Sequence, residues 1–456
     1  MKNNTFPHVI FIVFTTLLFS LTATGQTYTL SEALNTARLN NTELQKRRLD
    51  VESMRELKAE LFTKYFPQVE ASANYFYRDR GILEGTDMLD VILALLDSEF
   101  EEMPNNAQIL KHGTFGGISV VQPIYAGGRI TTSNRLAELG IEAQKEVAAI
   151  KQDELEQEVE KYFWQLVQLY EADHSLKTMD TLVTRASHDA ELALCAGLVT
   201  ANDKMQVDIY ASQLESTRLQ LRNGVLLCRD YLAYLIGVEH VDSVVYSDIY
   251  QVEEPLSYYA DPIASLLSRH ESQLLDMQVR VFQLSRKYKL GEYLPTIGVG
   301  FNLNYHYIFA DRDNGVYHRD IDKKNFGWTA LARVSIPISA WWGGKHALRR
   351  SDLAIHRAEM DRYDKRRLMS VQIQQRWNTL NEKYKQIALA HQQLTQSSEN
   401  QRQQASAYRS GSITMTERLQ ADALYEKSRT NYIDACIKYR IALTEYLHAT
   451  GRSISN

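Results

Sequence analysis

Few residues in this chain have the types and spacing to do chemistry. Asp311-Arg312-Asp313-Asn314-Gly315 begins like a calcium loop, but its glycine comes one place early and the closing glutamate is missing. It reads as a hairpin turn. His306 and His318 flank it without a paired metal-ligand spacing, and His270, His346 and His391 are scattered. Gly127-Gly128 lacks any phosphate-loop context. No set of nucleophile, base and oxyanion donors supports an enzyme, so neither a metal nor a cofactor is expected. The 3 cysteines are Cys195, Cys228 and Cys436. Cys195 lies beside a turn and Cys228 is about 30 residues beyond it, roughly 45 Å along a helix. Three free thiols are expected.

What remains is a pair of acidic positions, each just after a glycine turn. Gly197, Asp203, Gln206 and Asp208 are answered about 214 residues later by Gly411, Glu417, Gln420 and Asp422. At the same offset Phe163, Leu166 and Tyr170 are answered by Trp377, Leu380 and Tyr384, Pro123 by Pro337, and Gly237 by Gly451. An acid in the first turn of a helix complements the partial positive charge there, which is the plain reading of Asp203 and Glu417.

The elements that must carry these positions are long helices. No proline falls between Pro123 and Pro255, although the chain has 8. A run of that length with one polar glycine turn, Gly197 to Asp203, reads as an antiparallel helical hairpin. Its ascending arm, Arg129 to Ala196, is about 68 residues, or roughly 100 Å. Its return arm, Asp203 to Ile236, is half as long and ends at Gly237, a natural cap. A helix over Leu30 to Phe66, with Ser31 available as its cap, has the length to complete it. The second hairpin starts at Lys345, turns at Gly411 and ends at Gly451, and a helix over Ile263 to Tyr293 precedes its strands. Trp377, Leu380, Tyr384, Ile387, His391 and Leu394 recur at three- and four-residue steps, a coiled-coil-like spacing.

Four segments alternate as strands do. Val69, Ala71, Ala73, Tyr75 and Tyr77 share one face, with Gln68, Glu70, Ser72 and Asn74 on the other. A second strand spans Phe115 to Gln122. The third puts Ile297, Val299, Phe301, Leu303, Tyr305 and Tyr307 opposite Thr296, Gly298, Gly300, Asn302, Asn304 and His306. The fourth spans Trp328 to Ile336. The connection over residues 79–113 reads either as an external plug or as a plain loop.

Length and charge agree with an exported, duplicated chain. The 51 basic and 56 acidic residues are nearly balanced, which argues against a nucleic-acid partner. Lys2, the apolar run Val9 to Leu21 and the small residues Ala23-Thr24-Gly25 form a secretory signal over residues 1–25. A first repeat then spans residues 26–237, a linker 238–262 and a second repeat 263–456. No later stretch is apolar enough for a membrane helix, so any membrane segment must be made of strands. Four strands cannot line a bilayer alone, because two sheet edges would leave backbone groups unpaired. The edges need other copies of the chain, and the small polar second face suits a water-filled interior. A membrane-anchored coiled-coil structural or adhesive surface protein is the alternative, but it has no need of a matching strand pair in each half.

The whole mature chain resembles the TolC-like outer-membrane factors. The resemblance is carried by the helix start Leu30 to Leu34, the strand starts Phe66-Pro67 and Leu294-Pro295, the exit Gln122-Pro123-Ile124-Tyr125-Ala126-Gly127-Gly128-Arg129, and the tips Ala196-Gly197-Leu198-Val199 and Ser410-Gly411-Ser412-Ile413. The resemblance implies a homotrimer, mainly α, in which duplicated long hairpins form an α-barrel tube across the periplasm. Each chain would give four strands to a 12-stranded β-barrel in outer-membrane lipid. It implies an exit duct for tripartite efflux or type I secretion, working with a periplasmic adaptor and an inner-membrane transporter. A selectivity ring at the closed end falls on Glu417, with Gln420 departing from the family's second acid. A lock joins Asp203 to a tyrosine at Tyr408 on a neighbouring hairpin, and a second lock needs an arginine where Ile413 stands. The adaptor would meet the tips Gly197, Leu198, Val199, Thr200 and Gly411, Ser412, Ile413, Thr414, whose apolar members are expected to be exposed.

Overall fold

The computed structural model describes residues 27–77, 112–309 and 323–452, apart from 198, 247, 248 and 251. The signal segment, almost all of the 79–113 connection and the Asp311 to Gly315 turn lie outside the described residues. In chain order the elements are β1 (Thr27–Tyr28), α1 (Leu30–Asn40), α2 (Thr42–Thr63), β2 (Gln68–Tyr77), β3 (His112–Ala126), α3 (Arg129–Cys195), α4 (Ala201–Ile236), β4 (Ser243–Val244), α5 (Pro262–Ser268), α6 (His270–Gly291), β5 (Thr296–Phe309), β6 (Lys323–Ser335), α7 (Ala340–Arg409) and α8 (Met415–Ala449), with one short 3-10 turn at Pro255–Tyr258. The chain forms two compact units. One takes residues up to Asp50, Gln144–Leu275 and Tyr363–Asn456, and the other Val51–Ala143 and Asp276–Arg362. Each unit draws on both sequence repeats.

The first unit is helical, with one small parallel pairing of β1 and β4. Phe163, Leu166, Leu232, Ile236 and Ile437 are buried in its largest apolar cluster. Ile373, Leu380, Tyr439 and Tyr446 form a second, with Trp377, Tyr384 and Ile387 packed against it. The two repeats therefore bury or half-bury three pairs that the 214-residue offset relates, Phe163 with Trp377, Leu166 with Leu380 and Tyr170 with Tyr384. The single helix expected over Leu30 to Phe66 is two helices. Asn41 leaves the helical region (φ −61°, ψ 123°), and its Oδ1 accepts from the Glu43 and Leu44 amides at 2.9 and 3.3 Å. Its Nδ2 donates to the Leu235 carbonyl at 2.8 Å, which ties the break to the end of α4. Periodicity could not show this, because a side chain that replaces two lost backbone bonds leaves the apolar spacing nearly intact. The cap of α1 is Thr29, in a capping box with Glu32, and Ser31 lies inside the first turn. The second repeat also breaks, at Arg269 (φ −75°, ψ 130°) between α5 and α6, where the guanidinium donates to the Glu271 carboxylate at 2.7 Å.

The second unit holds a four-stranded antiparallel sheet in the order β2-β3-β5-β6. Its register pairs Val69 with Val120, Ala71 with Ile118, Ile118 with Leu303, Phe301 with Ala330 and Leu303 with Trp328. The apolar sets of all four strands thus share one face. Glu70, Ser72, Ser119, Asn302, Asn304, Thr329 and Arg333 share the other. The Phe301 and Trp328 rings stack across the apolar face, 6.0 Å apart. β3 is longer than the expected Phe115 to Gln122 and runs through Pro123 to Ala126, with an irregularity between Pro123 and Tyr125. Proline is accepted there because β2 pairs only as far as Val121, so β3 has one neighbour at that point. β6 likewise starts at Lys323, ahead of Trp328. α7 starts at Ala340, ahead of Lys345, since Gly343 and Gly344 are carried inside its first turns.

Candidate functional site

The two hairpin tips are built alike. Gly197 and Gly411 both take positive φ, 69° and 70°, which a residue with a Cβ adopts at a cost. After Gly411 the Ser412 amide donates back to the Ala407 carbonyl at 2.9 Å and the Gly411 amide to Tyr408 at 3.0 Å, closing α7 as a Schellman turn. Three residues later Thr200 and Thr414 cap the return helices. Asp203 Oδ2 accepts from the Thr200 amide and hydroxyl at 2.9 and 2.7 Å, and Glu417 Oε2 accepts from those of Thr414 at 2.8 and 3.0 Å. In return each threonine oxygen accepts from the Asp203 or Glu417 amide at 3.2 Å. These are reciprocal capping boxes.

The electrostatic consequence is the same at both tips. The Thr414 amide and then its hydroxyl hold the Glu417 carboxyl below its ordinary value, and the hydroxyl and amide of Thr200 do so for Asp203. Both acids are therefore charged at neutral pH. Glu417 uses only Oε2 in the cap, and Gln420, one turn further on, is exposed as Glu417 is.

Within the chain no hydrogen bond joins Asp203 to Tyr408 among the described residues. The Tyr408 ring instead lies under the Arg418 guanidinium at 5.0 Å, a cation–π contact inside the second hairpin. Val199 and Ile413 are half-buried, against the expectation of exposed apolar tips, and Leu198 lies outside the described residues. Gly197, Thr200, Gly411, Ser412 and Thr414 are exposed. Behind the tips, Met179, Val183, Ala186, Val207 and Leu419 form a small apolar cluster that joins the two hairpins.

One layer further in are charged residues that the sequence reading left without a role. Asp422 is almost fully buried, accepts from Gln401 Nε2 at 2.9 Å and faces Arg418 at 3.8 Å. Asp208, its counterpart, pairs with Lys204 at 2.6 Å and accepts from Ser187 at 3.4 Å. The 214-residue offset relates Ser187 to Gln401 and Lys204 to Arg418, so the same offset that found the acids would have found their partners.

Among the described residues no helix is long and apolar enough to cross a membrane, and no group of acids, histidines or cysteines is placed to hold a metal ion. Cys195 is exposed, Cys228 and Cys436 are buried, and all three are free thiols as expected.

Sequence comparison matches no protein-family model and no curated protein. Solved structures do match. The CmeC outer membrane channel of Campylobacter jejuni aligns with a TM-score of 0.74 at 13% identity, covering 92% of this chain and 85% of that one. The outer-membrane channel OprN aligns at 0.73 with 14% identity, covering 92% and 89%. The open state of the Neisseria gonorrhoeae MtrE outer membrane channel aligns at 0.69 with 13% identity, covering 93% and 89%. Helices and strands follow one another along nearly the whole of both chains in each case, so this protein has the fold of the TolC-like outer-membrane channels, strands for a β-barrel joined to long helices for an α-barrel.

Proposed function

We propose that this protein is the outer-membrane exit duct of a tripartite efflux pump or a type I secretion system. It is a passive channel, not an enzyme, and receives cargo from a periplasmic adaptor and an inner-membrane transporter. The observation that carries the reading is the sheet register. It places the apolar residues of four strands on one face and polar residues on the other, and among the described residues it leaves β2 and β6 each with one neighbour. A sheet so divided suits lipid outside and water inside, with its edges closed by further copies. The fold shared with CmeC, OprN and MtrE supports a homotrimer with a 12-stranded barrel.

In this reading the tips lie at the periplasmic end, and Gly197 to Thr200 and Gly411 to Thr414 meet the adaptor. Glu417 supplies the charged ring of the constriction. Gln420 adds a neutral layer, and Asp203 with Tyr408 of a neighbouring hairpin holds the end closed. The capping geometry supports the assignment for Glu417, since a carboxylate kept ionised with one oxygen free can present charge to a passing ion. The test is conductance of the purified protein in planar bilayers. Wild type is expected to give small cation-selective steps, and Glu417→Ala to lose selectivity or widen them. Steps identical in both proteins would remove Glu417 from the gate, and no conductance from a membrane-inserted oligomer would end the duct reading.

A further inference from the structure

A cavity of about 460 Å³ lies within the helical unit, at the C-terminal end of α8. Small-molecule pockets run from roughly 300 to 1,000 Å³, so it has the size of one. Asp153 of α3, His270 at the start of α6, and Leu443, Leu447 and His448 of α8 line it, with Arg452 just beyond the helix. Some of the charges there are answered within the chain. Arg269 donates to both oxygens of Glu271, at 2.7 and 3.2 Å, and His270 Nδ1 stands 2.7 Å from Glu146 Oε2. Three groups are not answered. Asp153 and His448 are half-buried yet make no hydrogen bond or ion pair among the described residues. Arg452 meets no carboxylate there.

Arg452 is held in place all the same. Gly451 takes φ 71° and the Arg452 amide donates to the Leu447 carbonyl at 2.9 Å, which turns the chain back at the end of α8. Its Nε donates to Thr450 Oγ1 at 3.1 Å and a terminal nitrogen to the Tyr258 carbonyl at 2.5 Å. Burial holds His448 below its ordinary value against the pull of Glu156, so its ring is neutral at pH 7 and offers one donor and one acceptor. Asp153 and Arg452 thus line one cavity with opposite charges and form no ion pair with each other. A ligand with one charge would satisfy one of them, whereas a molecule carrying both charges satisfies both. Leu443 and Leu447 supply an apolar wall. The duplication does not demand these groups. At the 214-residue offset Asp153, His448 and Arg452 become Arg367, Tyr234 and Val238, so the plan common to both repeats is built without them.

We propose that this cavity binds a small zwitterion of amino-acid size with an apolar side chain, its ammonium held by Asp153, its carboxylate by Arg452 and its apolar part against Leu443 and Leu447. His448 is a further hydrogen-bonding group for the polar end. The site lies roughly 50 Å along α8 from the Gly411 tip. It uses residues of the helical unit alone and is independent of the duct reading.

The test is isothermal titration calorimetry of the full chain in detergent at pH 7, with L-leucine as the probe. Saturable binding with a Kd below about 0.1 mM is expected. N-acetyl-L-leucine lacks the ammonium and L-leucinamide lacks the carboxylate, and each is expected to bind wild type at least about tenfold more weakly. These comparisons need no variant. Asp153→Asn and Arg452→Gln, checked for wild-type circular dichroism and melting, are each expected to weaken L-leucine to a similar extent. Asp153→Asn should leave the weak binding of N-acetyl-L-leucine unchanged, and Arg452→Gln that of L-leucinamide, because the contact in question is already missing. No saturable heat with L-leucine up to roughly 10 mM overturns the site. Analogues that bind wild type as tightly as L-leucine, or variants that weaken all three compounds equally, overturn the roles given to Asp153 and Arg452.

Discussion

Glu160 offers a quantitative check on the helical unit. It lies 3% exposed between α3 and α8, its carboxylate taking the Thr444 hydroxyl. Burial, opposed by the Thr444 hydrogen bond and aided by the nearby Glu156 charge, pushes its pKa from 4.5 up to about 7. Glu156 itself is also buried, but its bonds to Arg38 and Gln152 outweigh that and hold it low. The sign follows from proton counting. Between pH 4.5 and 7 the folded protein holds the Glu160 proton more tightly than the unfolded chain does. Stability from the protonated form is therefore fully present below pH 4.5 and is lost as pH rises through about 7. The whole shift corresponds to about 3 kcal/mol at about 1.4 kcal/mol per unit, of which about 2 kcal/mol falls between pH 5 and 8. Glu160→Gln keeps an acceptor for Thr444 and removes the titration. Thermal unfolding in detergent, followed by circular dichroism at several pH values, compares the two proteins. The raised Asp153, pushed up to about 6 chiefly by burial, is common to both and cancels in the difference. The variant is expected to gain on wild type by about 2 kcal/mol on going from pH 5 to pH 8. A difference that stays constant over that range, or that moves the other way, refutes the reasoning.

Two further outcomes test other parts of the molecule. A Cβ placed on Gly117 would sit 2.2 Å from the Leu303 carbonyl oxygen of the neighbouring strand, so Gly117→Ala is expected to disturb the β3–β5 pairing and lower the yield of membrane-inserted protein. Insertion at the wild-type level, measured by heat-modifiable mobility on gels, would contradict the register. Thr414→Ala removes the cap of α8 at a cost of about 1 kcal/mol, which should speed hydrogen exchange of the first-turn amides about fivefold while Thr414→Ser restores protection. Unchanged exchange would mean that the capping box does not hold the tip.

Much of this architecture could be read without coordinates, because its signals are local. Proline-free length announces α3 and α4, and positive-φ glycines at 197, 237, 411 and 451 end the helices where expected. Alternation at Val69 to Tyr77 and Ile297 to Tyr307 identifies strands with two unlike faces. The breaks at Asn41 and Arg269 were not legible, since each is made by contacts or dihedrals that leave the apolar period undisturbed. Thr200 and Thr414 were named only as tip residues. Their capping role is written in the sequence as a threonine three residues ahead of an acid.

By itself, then, the sequence determined which segments are helices and strands, where the hairpins turn, and that the plan occurs twice, because backbone preference and side-chain period act over a few residues. Tertiary structure alone decided that the four apolar strand faces coincide, since register is a property of pairs of strands separated by up to hundreds of residues. It also decided that Glu160, Asp422 and Glu426 are buried while their counterparts Gln374, Asp208 and Ser212 are more open to solvent. The offset makes those positions equivalent in sequence. What separates them is that α8 packs on α3 inside the chain, whereas the corresponding faces of α4 and α7 are exposed among the described residues.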